Sequence, residues 1–353
     1  MYRQEKVMQQ VEIGSLLETT LEYLLNTKFQ NSKIAILVDD NTHENCLDLL
    51  ITNFPKLSNA EILQIPAGEE NKDIEICVQL WQTLSEYEFG KKDLLINLGG
   101  GMVTDLGGFV ATVYKRGMCF INIPTSLLAM VDAAIGGKNG IDFNGVKNQL
   151  GSIQFPEFTF IDLSFLDTLP EAEVKNGFAE IIKHALIADA ALWYEIQQLG
   201  SSFRFDSKFI QRAMEIKMDI VNRDPFETGE RKLLNFGHTI GHGIEGAFFH
   251  TQRISHGHAV AIGMIGEAYI STKLGTLKSD DFQKIKAFIL TIFSPIKNIK
   301  SSIDVILNLI HQDKKNESNK INCTLLNGIG SASFDNYIDE SLLVETLNYL
   351  ETL

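Results

Sequence analysis

The sequence predicts a two-part α/β chain, with a parallel-sheet domain over residues 1–169 and a mostly α-helical domain over residues 170–353. Two observations carry this. Through about residue 165, short β-type runs alternate with amphipathic stretches, the pattern of strands joined by helical crossovers. From Pro170 onward the runs lengthen into helical stretches, and Pro170 itself suits the first turn of a helix, which places the boundary there.

The strand candidates, in order, are Ile34–Val38, Ile62–Ile65, Leu94–Leu98, Cys119–Ile123 and Phe158–Ile161. Each is a short β-branched or aliphatic run bounded by polar or turn residues. The helical candidates of the second half are 171–188, 190–199, 207–222, 230–248, 256–274 and 279–293, with one weak strand signal near Cys323–Leu326. No internal repeat or low-complexity segment interrupts them.

Composition excludes several classes. A chain of 353 residues that is 44% hydrophobic can bury a large core. Its longest apolar runs fall well short of the roughly 20 residues needed to span a bilayer, and the polar start Met1–Lys6 lacks the apolar core of a secretory signal. The expectation is a cytoplasmic protein. Cys46, Cys77, Cys119 and Cys323 are scattered, as reduced core thiols would be. With 31 basic against 45 acidic residues the net charge is −14 and no basic run exists, which argues against nucleic-acid and membrane partners. An anionic ligand would need cations clustered locally in a cleft.

After the strand at Leu94–Leu98 comes Gly99-Gly100-Gly101-Met102-Val103-Thr104-Asp105, a glycine loop opening a helix. Backbone amides at such a start can hold a pyrophosphate; the bland alternative is a tight turn. An acidic residue at a strand end beside a ribose favours NAD over NADP, and Asp39 is the candidate. It lies about 60 residues before the glycines, however, whereas the usual fingerprint places the acid about 20 residues after them. Gly68-Glu69-Glu70-Asn71-Lys72 reads as a second ligand loop or a helix start.

The richest segment is Glu230 through His242. On one continuous helix at about 100° per residue, Arg231, Asn235, His238 and His242 would project within roughly 60° of one another. Such a polar stripe is costly to bury without partners. Gly237 and Gly241 each cost about 1 kcal/mol in a helix interior, which close approach of a ligand or another backbone would explain. His238, His242, His250, His256 and His258 cluster among only eight histidines, which suggests a metal. Candidate ligands are His238, His256 and the carboxylate of Glu180, in Asn176-Gly177-Phe178-Ala179-Glu180-Ile181-Ile182-Lys183.

Taken in order, Gly99–Asp105, Ile123-Pro124-Thr125-Ser126, Asp132–Lys138, Asn176–Lys183, Glu227–His242 and Asp313-Lys314-Lys315-Asn316 resemble the 3-dehydroquinate synthase family of sugar-phosphate cyclases. The resemblance covers nearly the whole chain. It implies an N-terminal Rossmann-like dinucleotide-binding domain and a mostly α-helical C-terminal metal- and substrate-binding domain. It implies NAD held by Asp39, Asn41, Glu69, Lys72, Gly100, Gly101, Asp105, Thr125, Ser126 and Lys147, and Zn2+, replaceable by Co2+, held by Glu180, His238 and His256. The phosphorylated sugar acid would meet Arg116, Asp132, Lys138, Asn148, Lys183, Lys217, Arg231, Asn235, His242 and one of Lys314 and Lys315. Among these, Lys183, Arg231, Asn235 and His242, together with Glu227, are the catalytic candidates, His242 and Glu227 as acid/base groups. A homodimer is implied as well.

The family's reaction converts 3-deoxy-D-arabino-heptulosonate 7-phosphate to 3-dehydroquinate and phosphate by transient C5 oxidation, phosphate elimination, re-reduction, ring opening and aldol closure. Where many relatives read His-Gly-Glu, this chain has His256-Gly257-His258, which leaves His258 as an alternative ligand. Competing readings are a sister cyclase acting on sedoheptulose 7-phosphate or glucose 6-phosphate, a metal-dependent polyol dehydrogenase, and a non-enzymatic scaffold in which the glycines are turns.

Overall fold

In a computed structural model of the chain, the described residues are 9–144, 146–199, 207–249, 251–252, 254–312 and 320–353. The chain divides into two compact units, Met1–Val174 and Lys175–Leu353. The division falls inside a helix, Glu171–Ala188, that starts immediately after Pro170.

The first unit contains strands β1 (Val11–Ile13), β2 (Ile34–Asp39), β3 (Glu61–Ile65), β4 (Leu94–Gly99), β5 (Cys119–Pro124), β6 (Lys138–Phe143), β7 (Val146–Ile153) and β8 (Thr159–Ile161), with helices α1 (Leu21–Asn26), α2 (Asp40–Asn45), α3 (Leu47–Asn53), α4 (Ile74–Glu86) and α5 (Gly101–Val113). Six strands form one sheet in the order β1-β8-β5-β4-β2-β3, every pair parallel. All residues of β2 and β4 are buried, as central parallel strands covered on both faces must be.

From β2 the chain steps outward to β3, then crosses back to lay β4 against the other side of β2. The strand order therefore reverses between β2 and β4, and the carboxyl ends of such a pair form the ligand crevice of open α/β sheets. Helix α5 seats on β4 at Gly107, where a methyl group would run into the Asn97 side chain and sit 2.9 Å from Leu37. Leu37, Leu95, Val103, Leu106 and Phe120 share the core around it.

The second unit contains α6 (Glu171–Ala188), α7 (Ala190–Leu199), α8 (Ser207–Arg223), α9 (His238–Phe248), α10 (His256–Lys273), α11 (Ser279–Leu290) and α12 (Ile303–Gln312). The antiparallel hairpin β9 (Ile321–Gly328) and β10 (Ser331–Ile338) follows, then α13 (Glu340–Glu351). Among the described residues no helix is long and apolar enough to cross a membrane.

One expected helix is corrected. Residues 230–248 do not form a continuous helix; a 3-10 turn at Glu230–Asn235 ends at the extended, fully buried Phe236, and α9 begins afresh after Gly237 at φ 81°. The break is enforced from α10, whose buried Glu267 accepts the Gly237 N–H at 2.7 Å and the Ile240 N–H at 3.3 Å. The α9 and α10 backbones meet directly. A Cβ on Gly237 would lie 2.9 Å from the Val260 carbonyl oxygen, and one on Gly241 would lie 3.0 Å from the Val260 Cα. Another backbone, rather than a ligand, accounts for these glycines.

Candidate active site: a glycine loop and a histidine-carboxylate cluster

In the first unit, parallel pairing places Leu37 beside Asn97, so β2 and β4 end together, at Asp39 and at Gly99. The sequence separation that spoiled the fingerprint disappears in space. Gly100 is the extended residue that opens α5, and a Cβ there would approach the Ser126 hydroxyl to 3.3 Å. Thr125 donates its backbone N–H to the Gly99 carbonyl at 3.0 Å, which binds the end of β5 to the loop. Asp39 caps α2, accepting from the Thr42 N–H at 2.8 Å and its hydroxyl at 3.0 Å. Asn41 follows on the exposed side of that helix.

Lys72 ends the turn that follows Gly68. Its ammonium is 3% exposed and donates to Asp105 Oδ2 and Asn148 Oδ1, both at 2.7 Å, with Glu69 Oε1 at 3.6 Å. Burial alone would lower the Lys72 pKa, but the carboxylates of Asp105 and Glu69 outweigh it and hold the ammonium above its ordinary value. Asn148, expected against the substrate, thus stands with the dinucleotide candidates. Lys147 is its half-buried neighbour on β7, Asp132 sits half-buried in a π-helical turn at Ala129–Ala133, and Lys138 is exposed at the start of β6. Arg116 does not join these residues: it is exposed at the entry of β5, a strand's length from Thr125 and Ser126.

The second unit assembles three helices around one carboxylate. Glu180 on α6 is fully buried, with Oε1 3.7 Å from His238 Nε2 on α9 and 3.6 Å from His256 Nε2 on α10. Lys183, one turn along α6 and 1% exposed, pairs with the other carboxylate oxygen. The Nδ1–H of His238 donates to the Phe236 carbonyl at 3.2 Å and that of His256 to Glu245 Oε2 at 3.3 Å, so both rings turn Nε2 toward Glu180. Burial and the Lys183 charge hold the His238 pKa well below its ordinary value. Burial would lower His256 too, but Glu180 and Glu245 push it up to about 10. His242, exposed one turn after His238, has its ring 5.1 Å from His238 and 5.7 Å from His256.

This donor set suits a divalent ion of the zinc type. Two nitrogens and one oxygen on a tetrahedral ion at about 2.0–2.2 Å would stand roughly 3.3–3.6 Å apart, and the pairs around Glu180 stand at 3.6 and 3.7 Å. The donor atoms of His238, His242 and His256 also lie within 4.8 Å of one another. His242 can instead supply a proton-handling group beside an ion held by the other three. His258 turns away and donates from Nε2 to the Ser294 carbonyl at 2.7 Å.

The remaining candidates are ordered by the loop after α8. Asp224, 9% exposed, accepts from the backbone N–H groups of Thr228 at 3.0 Å, Gly229 at 2.7 Å and Arg231 at 3.0 Å. Burial opposes its ionisation, yet these bonds prevail and hold its pKa below the ordinary value. The folded loop sets Arg231, 2% exposed, with its guanidinium on the Pro225 carbonyl, and Glu227, whose Oε1 accepts from the Asn235 amide at 2.8 Å. Lys217 is buried on α8. Lys314, Lys315 and His250 lie outside the described residues.

Sequence reasoning missed Asp224, Glu245 and Glu267. For Glu245 a signal existed, since it lies on the same face of α9 as His238 and His242.

Comparison with known proteins agrees with both units. A family model described as 3-dehydroquinate synthase N-terminal matches residues 62–176, and its C-terminal counterpart matches residues 177–316. The chain is 39% identical to a 3-dehydroquinate synthase of Parabacteroides distasonis, over 97% of both chains. It is 35% identical to one of Clostridium acetobutylicum, over 92% of this chain and 91% of the relative. The fold is shared with a 2-epi-5-epi-valiolone synthase from Streptomyces hygroscopicus with NAD+ and Zn2+ bound, at a TM-score of 0.86 and 24% identity over 100% of this chain and 99% of that one. A 2-deoxy-scyllo-inosose synthase complexed with carbaglucose-6-phosphate, NAD+ and Co2+ superposes at 0.85 and 24% identity over 96% of each. With both halves of the family model in order along one chain, and more than a third of its residues shared with a relative end to end, this chain belongs to the 3-dehydroquinate synthase family.

Proposed function

We propose that the chain converts 3-deoxy-D-arabino-heptulosonate 7-phosphate to 3-dehydroquinate and phosphate, the reaction of its family, using NAD and a divalent metal. The observation that carries the metal reading is Glu180 facing the Nε2 atoms of His238 and His256, each ring fixed through its Nδ1. Zinc fits these donors, and cobalt would replace it. Bound there, the metal would polarise the C5 hydroxyl, and NAD at the glycine loop would supply the acceptor and later the donor of the C5 hydride.

The chain's own residues supply binding, orientation and proton handling. Glu180, His238 and His256 hold the ion. Asp39, Asn41, Glu69, Lys72, Gly100, Gly101, Asp105, Thr125, Ser126 and Lys147 hold the dinucleotide, with Gly100 and Gly101 giving the pyrophosphate close access to the start of α5. His242, exposed beside the ion ligands, moves the C5 hydroxyl proton. Lys183 supplies positive charge next to Glu180, and Arg231 a planar fork suited to a carboxylate or phosphate. Asn235 is oriented by Glu227, which is a second acid/base group. Asp132, Lys138 and Lys217, with Lys314 or Lys315, complete the substrate set; Arg116 and Asn148 belong to it only by family resemblance. Once C5 is a ketone the neighbouring C6 proton is acidic, and the departing phosphate can itself remove it.

The protein is proposed to act in the cytoplasm as a homodimer, in the shikimate route to aromatic compounds. The second reading is a sister cyclase, favoured by the fold shared with the valiolone and inosose synthases. To separate them, the purified protein is incubated with catalytic NAD, zinc and either 3-deoxy-D-arabino-heptulosonate 7-phosphate, sedoheptulose 7-phosphate or glucose 6-phosphate. Phosphate and dehydroquinate from the first sugar alone support the synthase. Turnover of one of the others assigns the sister activity, and accumulating NADH a dehydrogenase.

A further inference from the structure

We propose that Glu245 is a positioning residue of the metal centre, its carboxylate accepting the Nδ1–H of His256 and thereby aiming Nε2 at the ion. The proposal rests on the reading of Glu180, His238 and His256 as ligands. Glu245 is 5% exposed on α9, and its Oε2 lies 3.3 Å from His256 Nδ1, while the opposite ring nitrogen lies 3.6 Å from Glu180 Oε1. The imidazole is therefore strung between two buried carboxylates, one on each nitrogen.

His238 is presented by the same device in another material, since its Nδ1–H donates to the Phe236 backbone carbonyl at 3.2 Å. Both histidines thus have one nitrogen tied and the other turned to Glu180. A backbone carbonyl is a neutral dipole. The Glu245 carboxylate carries a full charge, which orients the ring more strongly, makes its free nitrogen a better donor and adds negative potential near a cation. Burying a carboxylate is costly unless a hydrogen-bonded or charged partner compensates, and His256, carried by the next helix, is one such partner.

The test strips the purified full chain of metal and titrates it with Zn2+ against a chromophoric chelator, for wild type, Glu245→Gln and Glu245→Ala. Removal of an outer partner of a ligating histidine typically weakens metal affinity by about 10–100-fold. The expected result is a loss of roughly 10-fold for Glu245→Gln, which keeps volume and an acceptor oxygen, and nearer 100-fold for Glu245→Ala. The metal-free Glu245→Gln protein should keep the wild-type urea midpoint, and its Co2+-loaded form should show a shifted visible spectrum. Zinc affinities of both variants within about twofold of wild type overturn the proposal. So does an affinity loss matched by equal loss of metal-free stability, which would mark a purely structural role. If Glu245→Ala does not fold, Glu245→Gln decides alone. A wild-type chain that takes up no zinc sinks the ligand reading and this inference with it, whereas tight wild-type binding with unaffected variants sinks this inference only.

Discussion

The side-chain carbonyl of Asn176 on α6 accepts the backbone N–H of Gly257 at the start of α10, 81 positions away. Glu180 lies one turn further along α6, and His256 is the immediate neighbour of Gly257. The bond therefore registers the carboxylate against the imidazole. A methyl group on Gly257 would strike the Asn176 backbone carbonyl and come within 2.7 Å of Oδ1. Gly257→Ala should shift the start of α10 and destabilise the fold by about 1–3 kcal/mol. Zinc per chain, measured by atomic spectroscopy, should fall with the urea midpoint; full zinc content would remove Gly257 from the account.

His238→Ala and His242→Ala should separate binding from chemistry. The first deletes a proposed ligand that faces Glu180 at 3.7 Å and should lose zinc and activity together. The second should keep zinc but lower kcat by about 10²–10⁴-fold, the usual worth of a positioned acid/base group. Metal analysis beside steady-state rates checks both.

Removing the metal from wild type by chelation should abolish turnover, and added Zn2+ or Co2+ should restore it. Because an ion bound to the folded state stabilises it by mass action, the thermal midpoint should rise with free Zn2+. A chelated enzyme that still turns over would exclude a catalytic ion.

Asp224→Asn should act through pH. The folded carboxyl has a pKa below the ordinary value near 3.8, so its stabilisation is fully present above that value and is lost as pH falls through the folded pKa. At pH 7 the variant should be less stable by about 1–3 kcal/mol, since an amide cannot accept from all the backbone N–H groups now served. The gap in urea midpoint should narrow at pH values below about 4. The loop also orders Arg231 and Glu227, so KM should rise; an unchanged KM would confine Asp224 to stability.

Asp105→Ala would take from Lys72 its counter-charge at 2.7 Å and leave a 3% exposed ammonium with Glu69 and Asn148. Losing one member of a buried pair costs up to about 3–5 kcal/mol, reduced here because Asp105 is partly exposed and Glu69 remains. NAD affinity, followed by fluorescence titration, should weaken with little change in zinc content.

The sequence revealed the architecture wherever burial left a continuous apolar run or a periodic apolar face. The apolar runs of β2 and β4 were legible because both faces of each strand are buried, and the helices at 171–188 and 190–199 because their apolar residues recur over about three to five turns. The hairpin of β6 and β7 was not, because Asn139-Gly140 and Asn148 through Ser152 interrupt any regular alternation. The break at Gly237 was invisible for another reason, since the carboxylate that creates it, Glu267, comes from a different helix. Likewise Asp39 and the glycines were legible singly, while their adjacency needed the β2–β4 pairing.

The direct meeting of α9 and α10 has an evolutionary corollary. At Gly241 and Gly263 the two backbones touch, with no side chain between them to swap rotamers or change volume. Elsewhere in the interior, large and small residues can trade places by compensating repacking. Here there is nothing to trade, so the span between His238 and His256 is fixed by main-chain dimensions. Drift in the surrounding core can accumulate without detuning the two histidines, whereas a single added methyl at the crossing has no neighbour able to yield.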